Sequence, residues 1–281
     1  MTDSAQTWLA PAKLNLFLHI TGRRADGYHQ LQTLFQFIDL MDELTFHDRP
    51  DTEIVLLNPP ADWEPQQDLT VRAAKLLQPF CAEPHGINID LLKIIPTGAG
   101  LGGGSSDAAT TLLALNHRWQ LGLSRHQLAK LGLQLGADVP VFIHGESAWA
   151  EGVGELLTPI ELPQRWYLVV IPDCHIPTAK IFGAEELTRN CPAITIRAYL
   201  TGQAGKTRND CLPAVLARFQ PVKMVYEWLQ QHTEVRLSGT GASLFCEFGS
   251  EAEAQQLQRT LPTNWHSFLV SSILHPHNQI N

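Results

Sequence analysis

The residues best suited to chemistry form one glycine-rich stretch, Pro96-Thr97-Gly98-Ala99-Gly100-Leu101-Gly102-Gly103-Gly104-Ser105-Ser106, called the glycine loop below. Its five glycines allow positive φ angles and a close approach of the backbone to a ligand. Alternating apolar residues over 87–91 predict a strand before the loop. Helical spacing of Ala108, Leu112 and Leu115 predicts a helix after it, with Ser105, Ser106 and Asp107 as caps. Strand, glycine loop and helix start together predict an anion site, with phosphate the first candidate.

The glycine loop can be compared with several known motifs. A flexible turn would need only one or two glycines. Gly98-x-Gly100-x-x-Gly103 fits the dinucleotide fingerprint, but no Asp or Glu lies between Asp107 and Asp138 to hold a ribose. Gly104 stands where the P-loop has its lysine, and no His-Arg-Asp or Asp-Phe-Gly triplet indicates a protein kinase. These exclusions leave a phosphate loop of another kind, whose serines offer hydroxyls to phosphate or to a phosphate-bound metal.

Three further polar positions have a plain and a functional interpretation. Lys13 and Asn15 share one face of a strand predicted over 8–20, which indicates either an edge strand with a solvated face or the wall of a polar cleft. Asp138 follows a predicted helix and is either a turn aspartate or, if it faces the glycine loop, an acceptor for a hydroxyl proton.

Two loops also have both a plain and a functional interpretation. Tyr28 and His29 leave a predicted hairpin turn, where they either pack or stack on a base and read its edge. Gly239-Thr240-Gly241, between two predicted strands, is either a loose hairpin or a second backbone site for phosphate.

The remaining pattern predicts two α+β halves. In the first half we expect strands over 31–39, 43–47 and 51–57, and a helix over 68–79 capped by Asp68. A second helix begins with a capping box at Ser124 and Gln127 and stops at Gly136, and residues 137–142 pass into a strand. Prolines at 159 and 163 predict a linker. Beyond it we expect strands over 166–171, 235–238, 244–248 and 268–272, with helices over 184–188, 211–219, 222–231 and 251–261, which is a split ferredoxin-like order.

Composition bounds the class of protein. The chain has 281 residues, a net charge of −8 and five cysteines without a Cys-x-x-Cys pair. The charge argues against a nucleic-acid face, and the cysteines favour reduced thiols in a cytosol over a disulfide framework or a zinc site. Residues 1–4 do not open a basic-then-apolar signal, and no apolar run reaches the ~20 residues that span a bilayer. We therefore expect a cytoplasmic protein without membrane or nucleic-acid partners.

The glycine loop, continued by Asp107-Ala108-Ala109, resembles the second motif of the galactokinase, homoserine kinase, mevalonate kinase and phosphomevalonate kinase (GHMP) superfamily. Further motifs over 11–16, 27–29, 135–140 and 237–241 are similar to the branch that acts on a cytidine diphosphate–linked methylerythritol in non-mevalonate isoprenoid synthesis. The resemblance covers nearly the whole chain. It implies a two-domain α+β fold, with a ribosomal protein S5 domain 2-like ATP-binding domain over 1–158 and a ferredoxin-like domain over 159–281. It also implies ATP as cofactor, with Mg²⁺ brought by ATP.

The resemblance also implies roles for individual residues. Lys13 and Asp138 would be the catalytic pair, and the glycine loop with Lys93 and Leu69 would bind ATP. The substrate would be held by Asn15, Tyr28, His29, Thr178, Phe182, Gly239 and Thr240, with the cytosine between Tyr28 and Phe182. Many members carry Asn-Leu where this chain has Asp68-Leu69, which leaves two interpretations of Asp68, a nucleotide contact or a helix cap only.

Three other functions stay open from the sequence. A kinase of another small alcohol would not need the stacking site around Tyr28, His29 and Phe182. A dinucleotide-dependent oxidoreductase is disfavoured by the missing acidic residue. A non-catalytic nucleotide-binding module would not need Lys13 or Asp138. A monomer or weak homodimer is expected, and the sequence indicates no metal ligand set of its own.

Overall fold

A computed structural model describes residues 6–59, 63–83 and 85–274; the residues 1–4 considered for a signal lie outside these ranges. The strands are β1 (Thr7–Arg23), β2 (His29–Arg49), β3 (Ile54–Leu56), β4 (Gly86–Leu92), β5 (Ala148–Glu151), β6 (Leu156–Pro159), β7 (Trp166–Ile171), β8 (Arg236–Leu237), β9 (Leu244–Phe248) and β10 (His266–Ser271). The helices are α1 (Leu69–Leu77), α2 (Gly103–Arg118), α3 (Arg125–Gly132), α4 (Val139–His144), α5 (Thr178–Phe182), α6 (Ile196–Leu200), α7 (Leu212–Arg218), α8 (Gln220–Gln230) and α9 (Glu251–Gln258).

The first sheet is built around the long hairpin of β1 and β2. Its order is β3-β4-β2-β5-β6, with β1 paired antiparallel to β2. The strands predicted over 31–39 and 43–47 are thus one strand, β2, which pairs β5 near its start and β4 near its end. Helices α1, α2, α3 and α4 cover this sheet, and their apolar residues share a core with it. The core fixes α2 beside β1, which brings the glycine loop to the middle of that strand.

The second sheet has the order β10-β7-β9-β8 and is antiparallel throughout. Along the chain the order is β7, helices α5 to α8, β8, β9, α9 and β10, which agrees with the predicted split ferredoxin-like order. Helices α5, α7, α8 and α9 contribute to its core. Within the part of the chain that the structure describes, no helix is long and apolar enough to span a membrane.

Strand β1 belongs to both halves of the chain. Trp8 lies in the core of the first sheet, whereas Leu18 and Ile20 lie in the core of the second. The backbone N–H of Leu18 donates to the Arg208 carbonyl at 3.0 Å, and its carbonyl accepts from the Asp210 N–H at 2.8 Å. Lys13 and Asn15 are 2% and 3% exposed, so the face that they share is not solvated and the solvated-face interpretation of the two residues is wrong.

The expected helix caps are partly right. The Asp68 side chain accepts from the Thr70 N–H at 2.8 Å and caps α1, and Ser124 forms the predicted capping box at the start of α3. Helix α2, however, begins at Gly103, with Gly102 in a left-handed conformation as its N-cap. The expected caps Ser105, Ser106 and Asp107 consequently lie inside the first turns, because glycine reaches the cap geometry without a side chain.

Three element assignments are wrong. Residues 139–144 form helix α4 instead of a strand, since a short buried apolar run fits either element and proline is favourable in a first helical turn. Residues 184–188 are not helical; the helix lies earlier, over Thr178–Phe182, and Gly183 ends it. Helix α3 ends at Gly132, and a turn continues to Gly136, whose N–H donates to the Gly132 carbonyl.

Candidate active site

A cavity of about 420 Å³ opens where β1, the glycine loop and the second sheet meet. It collects most of the residues expected to bind ATP or substrate. They are Lys13, Asn15, Leu69, Lys93, Pro96, Thr97, Gly98, Ala99, Gly100, Gly102, Gly103, Gly104, Ser105, Asp138, Thr178, Phe182, Gly239 and Thr240. Leu101 and Ser106 are buried behind the loop, and Tyr28 and His29 lie outside the lining at the hairpin turn.

The glycine loop has a backbone that side chains would obstruct. Gly100 has a φ of +79°, and a Cβ built there would lie 2.3 Å from the Ser238 carbonyl oxygen. At Gly102, with a φ of +75°, a Cβ would lie 2.8 Å from the Phe142 ring. The loop leads into the N-terminus of α2, whose first N–H groups have no acceptor within the helix. This end of the cavity therefore suits the phosphates of a nucleotide.

Residues 238–243 anchor the glycine loop from the second sheet. The Ser238 hydroxyl donates to the Gly100 carbonyl at 2.9 Å, and the Ser243 N–H donates to the Ala99 carbonyl at 3.0 Å. Asn209, which is buried, donates from its amide to the Leu237 and Gly239 carbonyls. Gly239 and Thr240 are thereby held beside Gly100 in the wall of the cavity.

Lys13 and Asp138 form an ion pair at the centre of the cavity. The Lys13 Nζ lies 3.3 Å from Asp138 Oδ2 and donates to Asn15 Oδ1 at 2.6 Å and to the Gly100 carbonyl at 3.1 Å. Lys13 is 2% exposed, whereas the Asp138 side chain is 34% exposed and faces the cavity. Three oxygens thus take the three donors of the ammonium, so Lys13 orients Asp138 and opposes its charge while the carboxylate stays accessible.

Asn15 is fixed as firmly as its neighbour. Its amide donates to the Thr33 hydroxyl at 2.9 Å, and its backbone N–H donates to the Ser238 hydroxyl at 3.2 Å. Because its Oδ1 accepts from Lys13, the orientation of the amide is defined by two partners. The polar-cleft interpretation of Lys13 and Asn15 is the one that agrees with the structure.

Lys93 lines the same cavity but is matched by two buried carboxylates. Its Nζ lies 2.5 Å from Asp42 Oδ2 and 2.7 Å from Asp107 Oδ2. Asp42 also accepts from the backbone N–H groups of Ile94 and Ile95 just before the glycine loop. Burial raises the pKa of Asp107 to about 8, with Lys93 opposing the shift and Asp42 adding to it. The cluster ties the loop entrance, β2 and α2 together.

One wall of the cavity includes Thr178 and Phe182 of α5, and His29, at the start of β2, contacts α5 from outside the lining. The hydroxyls of Thr178 and Thr240 lie 3.1 Å apart. The Phe182 and His29 rings stack with centroids 5.1 Å apart and an interplanar angle of 23°. Tyr28 is 66% exposed beside them. Of the two aromatic residues expected at a base, Phe182 stacks on His29 in this conformation and Tyr28 is exposed.

Arg189 is a neighbour of His29 that sequence reasoning missed. Its Nε–H donates to His29 Nε2 at 3.2 Å. Burial, the Arg189 charge and the Arg23 charge lower the pKa of His29. Asp42, Asn209 and Ser238 were also missed, because single polar residues in strands and loops carry no local pattern. Ser238 is the exception, because it directly precedes the glycine-containing segment Gly239-Thr240-Gly241.

Curated relatives match nearly the whole chain. A 4-diphosphocytidyl-2-C-methyl-D-erythritol kinase of Alkalilimnicola ehrlichii is 53% identical over 95% of this chain and 90% of its own length. One of Dechloromonas aromatica is 52% identical over 95% of this chain and 96% of its own length. The chain belongs to the 4-diphosphocytidyl-2-C-methyl-D-erythritol kinase family. Within this kinase family it carries the GHMP kinases N terminal domain over 68–146 and the GHMP kinases C terminal domain over 205–267.

Solved structures agree with this kinase family. A crystal structure of a 4-(cytidine 5'-diphospho)-2C-methyl-D-erythritol kinase has a TM-score of 0.82 and 33% identity, covering 95% of this chain and 99% of the other. The Methanococcus jannaschii mevalonate kinase, at 15% identity and a TM-score of 0.69 over 97% and 100% of the two chains, shares the fold. The predicted two-domain α+β GHMP kinase fold and the small-molecule kinase class, with ATP as cofactor, are confirmed.

Proposed function

We propose that this protein transfers the γ-phosphoryl group of ATP to the 2-hydroxyl of 4-diphosphocytidyl-2-C-methyl-D-erythritol, which gives the 2-phosphate and ADP. The reaction belongs to non-mevalonate synthesis of the isoprenoid precursor isopentenyl diphosphate. The names of the curated relatives support the substrate. The observation that carries the proposal is the Lys13–Asp138 pair, whose accessible carboxylate shares one cavity with the glycine loop.

Asp138 acts on the acceptor hydroxyl. The bond from the 2-oxygen to the γ-phosphorus forms while the bond from that phosphorus to the ADP oxygen breaks, and Asp138 orients the hydroxyl and takes its proton. Lys13, held by Asn15 and the Gly100 carbonyl, keeps the carboxylate aimed and offsets its negative charge. Because phosphoryl transfer depends mainly on alignment and charge stabilisation, this pair is sufficient for the chemistry.

ATP occupies the phosphate end of the cavity. The glycine loop, Pro96–Ser106, and the start of α2 supply backbone N–H groups to its phosphates. Leu69, at the start of α1, and Lys93 line the neighbouring wall, which we assign to the nucleoside. Since two carboxylates already surround Lys93, its main effect is to hold the loop entrance in place.

The substrate occupies the other end. Tyr28 and Phe182 enclose the cytosine, and His29 reads its edge. Asn15, Thr178, Gly239 and Thr240 hold the diphosphate and the polyol. The proximity of the Thr178 and Thr240 hydroxyls, and of the His29 and Phe182 rings, supports these assignments. For the base to enter between Tyr28 and Phe182, the Phe182 ring must move off the His29 ring, or the Tyr28 ring must close over the Phe182 ring.

Mg²⁺ would be brought by ATP and would supply neutralisation of phosphate charge. Across residues 6–59, 63–83 and 85–274, no group of three or more His, Cys, Asp or Glu side chains is arranged to hold a metal. Asp138 is the carboxylate in the cavity lining, and the Ser105 hydroxyl lies on the phosphate side of the same cavity. This donor set fits Mg²⁺, which retains several waters and takes one or two protein ligands beside substrate phosphates.

We assign ATP binding to a domain over 1–158 and part of the substrate site to a domain over 159–281. The matches over 68–146 and 205–267 fall within these two ranges. A cytoplasmic location and a monomer or weak homodimer complete the proposal, and the free state of the five cysteines supports a reducing compartment.

A coupled ADP-release assay tests the function. We expect ADP release with the cytidine diphosphate–linked methylerythritol, and much less with mevalonate or homoserine at equal concentration. A second arm compares Asp138→Asn with Glu146→Gln, an exposed acidic residue beyond the far end of α4. The first variant should lose turnover and the second should keep it. Equal rates with all three acceptors, or no ADP release with the cytidine compound, would refute the proposed substrate.

A further inference from the structure

Arg189 joins the predicted base-binding residues from outside the cavity. Its guanidinium donates to the carbonyls of Phe182, Ala184 and Leu187 at 3.0, 2.7 and 3.1 Å, so it fixes the chain that follows α5. The fourth contact is different in kind, because the Nε–H donates to a titratable ring nitrogen, His29 Nε2, at 3.2 Å. One side chain thereby fixes the backbone at Phe182 and the hydrogen-bonding state of His29.

The contact determines which nitrogen of His29 carries the proton. Arginine has only N–H donors and stays protonated, so the nitrogen that it faces must offer a lone pair. Nε2 is then unprotonated, and a neutral imidazole carries its proton on Nδ1. A second proton on the ring would set an N–H of His29 against an N–H of Arg189. His29 therefore presents Nδ1 as a hydrogen-bond donor and not as an acceptor.

A donor at this position distinguishes the pyrimidines. The N3 atom of cytosine is an acceptor, and N3 of uracil is an N–H donor. We propose that Arg189 is a positioning residue that holds His29 as the Nδ1–H tautomer and so makes the substrate site accept cytosine and reject uracil. The inference rests on the proposed function, since it takes His29 to read the edge of the base.

The charges around His29 also favour its neutral form. Arg189 faces it from the segment after α5, and Arg23 faces it from the end of β1, while Phe182 covers its ring. Burial and the two arginines lower the pKa of His29, so the neutral form predominates at neutral pH. Removing Arg189 should raise this pKa and free Nε2 to carry the proton.

The tautomer can be measured without activity. Long-range ¹H–¹⁵N spectra of the protein labelled with ¹⁵N-histidine report the protonation of each ring nitrogen, and His29→Gln identifies the His29 signals among the twelve histidines. In the unmodified protein we expect the Nδ1–H tautomer. Arg189→Gln should show a higher His29 pKa and a mixture of tautomers. Arg197→Gln, an exposed arginine on α6, should leave both unchanged. An Nε2–H tautomer in the unmodified protein would overturn the proposal.

A second arm measures base selectivity. The ratio of kcat/KM for the cytidine substrate to that for its uridine analogue should fall at least about tenfold in Arg189→Gln. The reason is that the N–H of His29 would no longer be held against the N3–H of uracil. Arg189→Lys, which keeps the charge but not the planar donor set, should restore part of the ratio. If Arg189 only supports the loop around Phe182, both substrates will lose the same factor and the ratio will stay constant, which refutes the tautomer role. No turnover with either compound in the unmodified protein would instead refute the proposed function, while the spectra still decide the tautomer.

Discussion

The packing of Gly100 against Ser238 gives a sharp test of how the site is assembled. At Gly100 the backbone has a φ of +79°, and an added Cβ would lie 2.3 Å from the Ser238 carbonyl oxygen. That neighbour is backbone and cannot rotate away. Gly100→Ala therefore imposes both a left-handed alanine and a steric conflict between the two loops.

The expected loss of stability in Gly100→Ala follows from the backbone strain and from the contacts that must break. A left-handed alanine costs about 1–2 kcal/mol. An ordinary contact requires 3.4 Å, so the loops must separate by about 1 Å. That movement breaks the Ser238–Gly100 and Ser243–Ala99 hydrogen bonds, each worth about 1 kcal/mol. We expect a total loss of about 3–4 kcal/mol in the free energy of unfolding, and a fall in kcat of about 100-fold because Lys13 is bonded to the displaced carbonyl.

Gly122→Ala is the matched control. Gly122 has a φ of +66°, and an added Cβ would meet no atom within 4 Å. It therefore carries the backbone cost alone, about 1–2 kcal/mol, and should leave kcat unchanged. Urea unfolding and ADP release are measured for both variants. A Gly100→Ala protein as stable and as active as Gly122→Ala would refute the close packing of the two loops.

Three further predictions concern single side chains. Asp138→Asn should lower kcat at least about 100-fold while ATP still binds, as measured by ADP release and by nucleotide titration; near-normal turnover would contradict its role. Tyr28→Ala should weaken substrate binding by about 1–3 kcal/mol if its ring stacks on the base, and an unchanged affinity in calorimetry would remove that contact. The folded chain holds an extra proton on Asp107 between about pH 4 and pH 8, because its pKa is raised, so this group's contribution to stability is lost as pH rises toward 8. Asp107→Asn should therefore show a smaller fall in unfolding free energy between pH 5 and pH 8 than the unmodified protein, and parallel curves would contradict the raised pKa.

Local patterns predicted the parts of the fold that local physics controls. The capping box at Ser124 and the cap at Asp68 have specific side-chain acceptors, and both are present. The glycine loop was recognisable because positive φ angles and close approach leave glycine as the suitable residue. Helix α4 was misassigned, since it is short, its first five residues are buried, and it has no polar stripe to show its period.

Long-range partners left no trace in the sequence. Lys13 and Asn15 lie two residues apart, yet their burial depends on Gly100 and Ser238, which come from distant parts of the chain. Asp42 neutralises Lys93 across 51 residues of sequence. Such pairs form only when β1, β2 and α2 are packed together, so their chemistry could be anticipated through resemblance but not through spacing.

The position of β1 has a consequence for dividing the chain. Its beginning packs in the first core, its middle carries Lys13, and its end, with Leu18 and Ile20, packs in the second core. A cut between residues 158 and 159 would leave the second fragment without the strand that completes its core. We expect the second fragment not to fold alone, and activity to return only when the two fragments are mixed, as in fragment complementation. Lys13, which we propose acts with Asp138, thus lies on a strand that contributes to the cores of both halves.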